Sequence, residues 1–153
     1  MAEVLIEKKL RLAVAESCTG GMLAQQCTSL SGCSDWFECG FVAYSYVSKT
    51  SLLDVQADVL KEHGAVNKEV AEQMASGVLN HCDANISASI TGIAGPSGGS
   101  ESKPIGTVYI ATAVKNQSAN ATHYLFQGDR QSVREQSVQM SIIEILSRLE
   151  SFK

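Results

Sequence analysis

The stretch RLAVAESCTGGMLAQQ, residues 11–26, constrains the fold more than any other part of the sequence. Residues 11–15 form a short apolar run that predicts a strand, and Gly20 and Gly21 mark the start of a helix that continues to about Leu30. A strand that passes through a polar, glycine-containing loop directly into a helix is typical of a layered α/β domain. Backbone N–H groups in such a loop are unpaired and favour anions.

The rest of the sequence continues this alternation of strands and helices. A short helix should end near Lys9, and residues 31–35 read as a turn. Four further segments with strand-like composition are predicted as strands: residues 36–47, 85–90, 105–114 and 121–127, the last two joined by a hairpin near Asn116. Two longer helices are predicted after capping residues, from Asn67 to about His81 and from Asp129 to about Leu149. Helices before and after the strands predict one three-layer α/β/α domain with a mixed sheet over residues 1–153.

Length and charge exclude several classes of protein. A chain of 153 residues can bury about 70% of its unfolded surface in one core, so it needs no disulfides for stability. The 12 basic and 16 acidic side chains give a net charge of -4, so a nucleic-acid partner is not expected. The apolar runs of the N-terminus are short and broken by charges, which predicts neither a signal peptide nor a membrane span. We therefore expect a cytoplasmic protein that binds no membrane.

The five cysteines predict neither a disulfide framework nor a metal site. They are odd in number and contain no C-x-x-C pair: Cys18, Cys27, Cys33, Cys39 and Cys82. The regular spacing of the middle three, with five residues between neighbours, matches no pattern of zinc ligands. We expect reduced, structural cysteines, no bound metal and no cofactor.

Three polar segments follow predicted strands, where functional groups gather in α/β sheets. In AESCTGG (15–21), Ser17 or Thr19 either presents a hydroxyl group or simply caps the following helix, and capping is the more common use. AYSYVSK (43–49) places Tyr44 and Lys49 at the predicted end of a strand, where a surface position is the ordinary reading. The glycine-rich loop TGIAGPSGG contains neither G-x-G-x-x-G nor a G-K-[ST] ending, so it only weakly supports dinucleotide or P-loop binding.

Taken together, these blocks resemble the C-terminal domain family of the competence-damage-inducible protein CinA. The resemblance covers nearly the whole chain, through AVAESCTGG, GFVAYS, EHGAV, TGIAGPSGGSESKPIGTVYIA and GDRQSVRE. The activity of this family is hydrolysis of the amide of nicotinamide mononucleotide. The resemblance therefore implies an amidohydrolase that forms nicotinic acid mononucleotide and ammonia.

The resemblance also implies roles for individual residues. Ser17 would be the nucleophile, with Lys49 and Tyr44 accepting and relaying its proton, since a serine needs a base within hydrogen-bond reach and a buried, neutral lysine can serve. In the same loop Thr19, Gly20 and Gly21 would contact the substrate. Backbone N–H groups near Gly20 and Gly21 would stabilise the developing oxyanion.

The remaining implied contacts lie in two other segments. Thr91 and Gly92 would line the opposite wall of the pocket. Arg130 would bind the phosphate together with Arg134, one helical turn later, because guanidinium groups suit phosphate oxygens. A solvated helix face is the other reading of this arginine pair. Two further residues of the motif have structural readings: Glu16 ties the loop backbone, and Cys18 is packed rather than reactive.

One segment departs from the family pattern. Members with the amidase activity usually read YSNEAK where this sequence has YSYVSK, so Tyr46, Val47 and Ser48 replace an amide, a carboxylate and an alanine. Two of the replaced polar groups could orient the lysine or the substrate. A misplacement of about 1 Å can reduce a rate on the order of a hundredfold. This leaves two alternatives to the amidase: a catalytically inactive paralogue that binds a nucleotide or a protein partner without turnover, and a hydrolase of another small amide. A homodimer is the expected assembly.

Overall fold

The computed structural model describes residues 1–152, which form six α-helices, a short 3-10 helix and a five-stranded sheet. The elements in chain order are α1 (Ala2–Glu7), β1 (Leu12–Glu16), α2 (Met22–Thr28), the 3-10 helix (Cys33–Asp35), β2 (Phe37–Val42), α3 (Tyr46–Leu53), α4 (Ala57–His63), α5 (Lys68–Asn80), β3 (Ile86–Gly92), β4 (Thr107–Val114), β5 (Asn120–Leu125) and α6 (Arg130–Glu150). None of these helices combines the length and the apolar character that a membrane span requires.

The sheet is mixed, as predicted, with the strand order β2-β1-β3-β4-β5. β1 is parallel to β2 on one side and to β3 on the other, whereas β4 runs antiparallel to both of its neighbours, β3 and β5. The carboxyl ends of β1, β2 and β3 therefore meet at the same edge. The chain leaves β1 toward β2 and later returns to β3 on the opposite side, and ligands of α/β sheets bind at such a switch in strand order.

Alternate residues of β1 pack into two separate cores on the two faces of the sheet. Leu12 and Val14 belong to a core that also contains Leu23 of α2 and Ile145 of α6. Ala13 and Ala15 belong to the other core, which is filled from α3, α4 and α5 by residues such as Leu53, Leu60 and Met74. The three-layer α/β/α architecture predicted from the sequence is confirmed.

The two predicted capping residues begin the two longest helices. Asn67 Oδ1 accepts a hydrogen bond from the Val70 N–H at 3.0 Å before α5. Asp129 Oδ1 accepts one from the Ser132 N–H at 2.8 Å before α6. Each bond satisfies one of the N–H groups that a helix start leaves unpaired. Both predicted helix starts are confirmed.

The predicted strand over residues 36–47 is wrong beyond Val42. Ser45 and Ser48 form a reciprocal capping box, in which each backbone N–H donates to the other side-chain oxygen at 3.0 Å. This cap starts α3 and outweighs the strand preference of the aromatic and β-branched residues around it. Lys49, predicted at the end of a strand, lies in the first turns of α3 instead.

Candidate active site

The carboxyl edge of the sheet brings Ser17 and Lys49 together. Ser17 follows β1 directly, and its backbone N–H donates to the Ile90 carbonyl of β3 at 3.0 Å. Lys49 reaches it from α3, so that Lys49 Nζ lies 2.8 Å from Ser17 Oγ. Two segments that are 32 residues apart in sequence thus form one side-chain pair. The catalytic roles of the two residues stay predictions.

The Lys49 amine is fully buried and has no carboxylate as a partner within residues 1–152. Its Nζ donates to the backbone carbonyls of Ala43 at 2.7 Å and of Tyr44 at 3.1 Å. Burial lowers the pKa of Lys49 from 10.5 to about 8, although the nearby Cys18 thiol acts in the opposite direction. The amine therefore loses its proton far more readily than a surface lysine.

The buried Glu16 carboxylate caps α2 from the inside. Its two oxygens accept three N–H groups at the start of this helix, from Gly21 at 3.1 Å, Leu23 at 3.0 Å and Ala24 at 2.8 Å. The reading of Glu16 as a tie for the loop backbone is confirmed. The capping role considered for Ser17 or Thr19 is wrong, because the carboxylate occupies the N–H groups that a hydroxyl would cap. The Ser17 hydroxyl is consequently free to face Lys49.

The backbone N–H groups predicted to bind an oxyanion are already paired. The Gly20 N–H donates to the Ser17 carbonyl at 3.1 Å, and the Gly21 N–H donates to Glu16. By contrast, the N–H groups of Cys18 and Thr19 donate to no other residue in the described part of the chain. Sequence reasoning missed these two amides, since no side chain marks them. They are the unpaired donors nearest to Ser17 along the chain.

The two arginines at the start of α6 have different surroundings. Arg130 borders a cleft that is also lined by Cys18, the residue after Ser17, and its Nη1 donates to the Gly95 carbonyl at 2.9 Å. Arg134 turns to the Ser17 loop instead, where its Nε donates to the Cys18 carbonyl at 3.1 Å and its Nη2 to the Thr19 carbonyl at 3.0 Å. Arg134 is thus engaged with the loop backbone, whereas Arg130 borders the cleft, and binding of one phosphate by both guanidinium groups stays a prediction.

The cleft has a volume of about 260 Å³. Its lining includes Cys18, Tyr44, Gly92, Ile93, Gly98 and Arg130. Thr91 is buried and donates from Oγ1 to the Ala65 carbonyl at 2.8 Å, between α4 and α5. The predicted wall is therefore formed by Gly92 and the residues after it, whereas the Thr91 side chain is committed to another partner.

Thr19 is also fully buried, and no hydrogen-bond partner for its Oγ1 lies among the described residues.

The Tyr44 side chain borders the cleft but does not reach the serine–lysine pair. It is 63% exposed, and its hydroxyl group has no hydrogen-bond partner within residues 1–152. The hydrogen bond between Tyr44 and Lys49 uses the backbone carbonyl of Tyr44 and not its hydroxyl group. The proton relay through the phenol stays a prediction, and an aromatic face beside the cleft also suits a planar ring.

Within residues 1–152 the cysteines lie apart from any arrangement that suits a metal ion. All five cysteines are free, and burial raises the pKa of the Cys18 thiol to about 11. This thiol is therefore protonated at neutral pH and unsuited to be the nucleophile. Residues 1–152 contain no cluster of three or more histidine, cysteine, aspartate or glutamate side chains that could hold a metal ion.

The residues that depart from the family pattern lie outside the cleft. Tyr46 and Val47 are 50% and 76% exposed and border a separate apolar groove of about 620 Å³ between α3 and α4. Their side chains make no hydrogen bond to Lys49. Ser48, the third replaced residue, is part of the capping box of α3.

Comparisons with known proteins agree with one another. The family model of the CinA C-terminal domain matches residues 1–149. A CinA-like protein of Citrifermentans bemidjiense is 48% identical over 88% of this chain and 32% of its own length. The nicotinamide-nucleotide amidohydrolase PncC of Enterobacter agglomerans is 44% identical over 84% of this chain and 78% of its own length. Several curated relatives that this chain matches, including the Citrifermentans protein, are about three times as long, so the chain spans about a third of their length.

Solved structures match the fold over almost the whole chain. The competence damage-inducible protein A (ComA) from Klebsiella pneumoniae superposes with a TM-score of 0.95 at 32% identity, covering 99% of this chain and 94% of the other. A CinA superfamily protein from Escherichia coli gives a TM-score of 0.90 at 35% identity, covering 95% and 84%.

Proposed function

The chain belongs to the CinA C-terminal domain family, as its motifs predicted, and from this premise we propose that it is an amidohydrolase that deamidates nicotinamide mononucleotide. The observation that carries the proposal is the 2.8 Å contact between Lys49 Nζ and Ser17 Oγ in a buried setting. A relative that is named nicotinamide-nucleotide amidohydrolase, 44% identical over 84% of this chain, supports the choice of substrate.

The hydrogen bonds of Lys49 suit a base that takes the proton of Ser17. A neutral amine has two N–H bonds and one lone pair. The carbonyls of Ala43 and Tyr44 accept the two N–H bonds, which directs the lone pair to the Ser17 hydroxyl. A pKa of about 8 leaves about a tenth of the amine neutral at pH 7, far more than for a surface lysine.

In the first half of the proposed reaction, Ser17 Oγ attacks the carboxamide carbon while its proton moves to Lys49 Nζ. The tetrahedral intermediate then collapses, the C–N bond breaks, and Lys49 returns the proton to the departing amine, which leaves as ammonia. In the second half, a water molecule gives a proton to Lys49 and attacks the ester. Lys49 returns this proton to Ser17 Oγ, and the carboxylic acid leaves.

The negative charge of the tetrahedral intermediate needs hydrogen-bond donors close to Ser17. We assign this role to the N–H groups of Cys18 and Thr19, which are free of other partners in the described chain. The amide that follows a nucleophile is the usual donor at a strand-to-helix turn. Removing one such donor from an enzyme costs about 100-fold to 1,000-fold in kcat.

The cleft supplies the remaining contacts for a mononucleotide. Arg130 lies on its border, and a guanidinium group pairs well with phosphate oxygens. Tyr44 lies on the same border and offers an aromatic face to the pyridine ring. We therefore propose that the carboxamide faces Ser17 and that the phosphate faces Arg130.

The altered segment weakens the amidase proposal less than its sequence suggests. Lys49 is oriented by backbone carbonyls and by Ser17, and none of these contacts uses a side chain from residues 46–48. A second candidate function is binding of the mononucleotide or a protein partner without turnover. The exposed apolar groove beside Tyr46 and Val47 favours it.

The test is release of ammonia from nicotinamide mononucleotide by the purified protein. We expect turnover in the wild type, none above background in Ser17→Ala, and a loss of at least about 1,000-fold in Lys49→Met. Cys18→Ser is the matched control for the neighbouring position and should keep measurable turnover. Binding of the mononucleotide by calorimetry without any ammonia from the wild type would replace the amidase with the second candidate.

A further inference from the structure

The guanidinium group of Arg134 joins α6 to the loop that carries Ser17. Its Nε donates to the Cys18 carbonyl at 3.1 Å, and its Nη2 donates to the Thr19 carbonyl at 3.0 Å. A third donor, Nη1, lies 3.3 Å from Gln131 Oε1. Two carbonyls bound by one planar fork are held in a fixed relative orientation, which a lysine ammonium group cannot reproduce.

The bond to the Cys18 carbonyl fixes the direction of a neighbouring N–H group. Within one planar trans peptide unit, the C=O of a residue and the N–H of the next residue point in opposite directions. Because the Cys18 carbonyl points to Arg134, the Thr19 N–H points away from α6. This N–H is one of the two unpaired amides assigned above to the oxyanion.

No other hydrogen bond to the Cys18 carbonyl exists in the part of the chain that the structure describes. The flanking peptide units have other partners: the Ser17 carbonyl accepts from the Gly20 N–H, and the Thr19 carbonyl also accepts from the Met22 N–H. The orientation of the peptide unit between Cys18 and Thr19 therefore depends on Arg134 more than on any other side chain.

We propose that Arg134 is a positioning residue, which orients the Thr19 N–H so that it stabilises the oxyanion formed when Ser17 attacks a carbonyl carbon. The inference rests on the proposed function, since it concerns the same nucleophile. It replaces the role in phosphate binding that the sequence predicted for Arg134 and leaves that role to Arg130.

The first experiment compares Arg134→Lys with Arg130→Lys in the ammonia assay. Both variants keep the charge of α6 and lose the fork. Arg134→Lys should lower kcat about 100-fold with little change in KM, whereas Arg130→Lys should mainly raise KM for the mononucleotide. With nicotinamide riboside, which has no phosphate, the loss from Arg134→Lys should be equally large. A loss that appears only in KM and vanishes with the riboside would overturn the inference.

The second experiment does not depend on the natural substrate. A fluorophosphonate reacts with an activated serine by forming an O–P bond and releasing fluoride, and mass spectrometry measures the rate at Ser17. Arg134→Lys should react about 100-fold more slowly than the wild type. The matched control is Arg148→Lys near the other end of α6, whose arginine contacts Gln117 and Ser118 and which should react at the wild-type rate.

The two experiments separate the possible failures. A wild type that does not turn over the mononucleotide, but whose Ser17 labelling still depends on Arg134, would refute the proposed substrate and retain the inference. Equal labelling of Arg134→Lys and Arg148→Lys would overturn the inference whatever the turnover. A wild type that neither turns over nor reacts would refute both. Arg134→Gln is a second substitution at the same position, and it should react as slowly as Arg134→Lys. Thermal unfolding of every variant shows whether a slower reaction comes from loss of folding.

Discussion

Replacing Lys49 with methionine should change how the stability of the protein depends on pH. Burial lowers the pKa of Lys49 from 10.5 to about 8 in the folded protein, whereas the unfolded chain exposes the amine to water. Between these two values the unfolded state binds more protons than the folded state. The contribution of this group to stability must therefore increase as the pH rises through this window, and it is lost as the pH falls toward 8.

The structure sets the size of this effect. A pKa that falls from 10.5 to about 8 corresponds to at most about 3 kcal/mol across the complete window. Between pH 7 and pH 9 the expected increase is about 1 kcal/mol. Methionine has a similar length and no titratable group, so Lys49→Met removes this increase. It also leaves the Ala43 and Tyr44 carbonyls without a donor, which costs about 1 kcal/mol each at any pH.

The assay is urea-induced unfolding of wild type and Lys49→Met at pH 7, 8 and 9. The difference in unfolding free energy between the two proteins should grow by about 1 kcal/mol in favour of the wild type from pH 7 to pH 9. Three thiols, those of the buried Cys18 and Cys27 and of the half-buried Cys39, have pKa values raised by desolvation to about 11 or 12, so they oppose this trend. They are present in both proteins and largely cancel in the difference. A difference that stays constant would refute a lowered pKa for Lys49.

Three further predictions concern the reaction and the packing. The initial rate of ammonia release should rise about tenfold from pH 6 to pH 7 and level off above about pH 8, since the proposed base is neutral Lys49; a flat profile would contradict this. Gly77→Ala should lower the unfolding free energy by about 3 kcal/mol, because a methyl group there collides with the Leu53 carbonyl. Its control, Ser76→Ala, should change the unfolding free energy little when both variants are unfolded by heat. Asn67→Ala should cost about 1 kcal/mol through loss of the α5 cap, and Asn67→Asp, which keeps the cap acceptor but loses the Nδ2 donor to the Gly64 carbonyl, should cost less; equal losses in both variants would argue against the cap.

The layers and most elements could be predicted because local signals agree with the fold. Asn67 and Asp129 begin helices whose apolar residues recur at helical spacing, and the polar loop after β1 precedes a helix. The start of α3 could not be predicted in the same way. The usual capping box has Glu or Gln at its fourth position, and this chain has Ser48 there. The cap was therefore not recognised in the sequence, and the strand preference of the neighbouring residues led to the wrong prediction.

The candidate site could be predicted where side chains carry the chemistry and not where the backbone does. The motifs identified Ser17 and Lys49, whose side chains meet. The direction of the Ala43 carbonyl or of the Thr19 N–H is not encoded by a residue type, so neither contact could be inferred from the sequence. Arg130 and Arg134 looked equivalent for a related reason, since only the position of the Ser17 loop decides which one faces the cleft.

The replaced segment illustrates how a motif can change while the geometry it supports persists. Lys49 reaches Ser17 because α3 begins at a defined residue and because backbone carbonyls hold the amine. Residues 46–48 contribute to this arrangement only by starting the helix in the correct register, and Ser48 does so through its bond with Ser45. A family motif read residue by residue therefore overstates how much the change alters the hydrogen bonds of Lys49. Tyr46 and Val47 alter the outer surface of α3, which affects what this surface can contact rather than the position of the Lys49 amine.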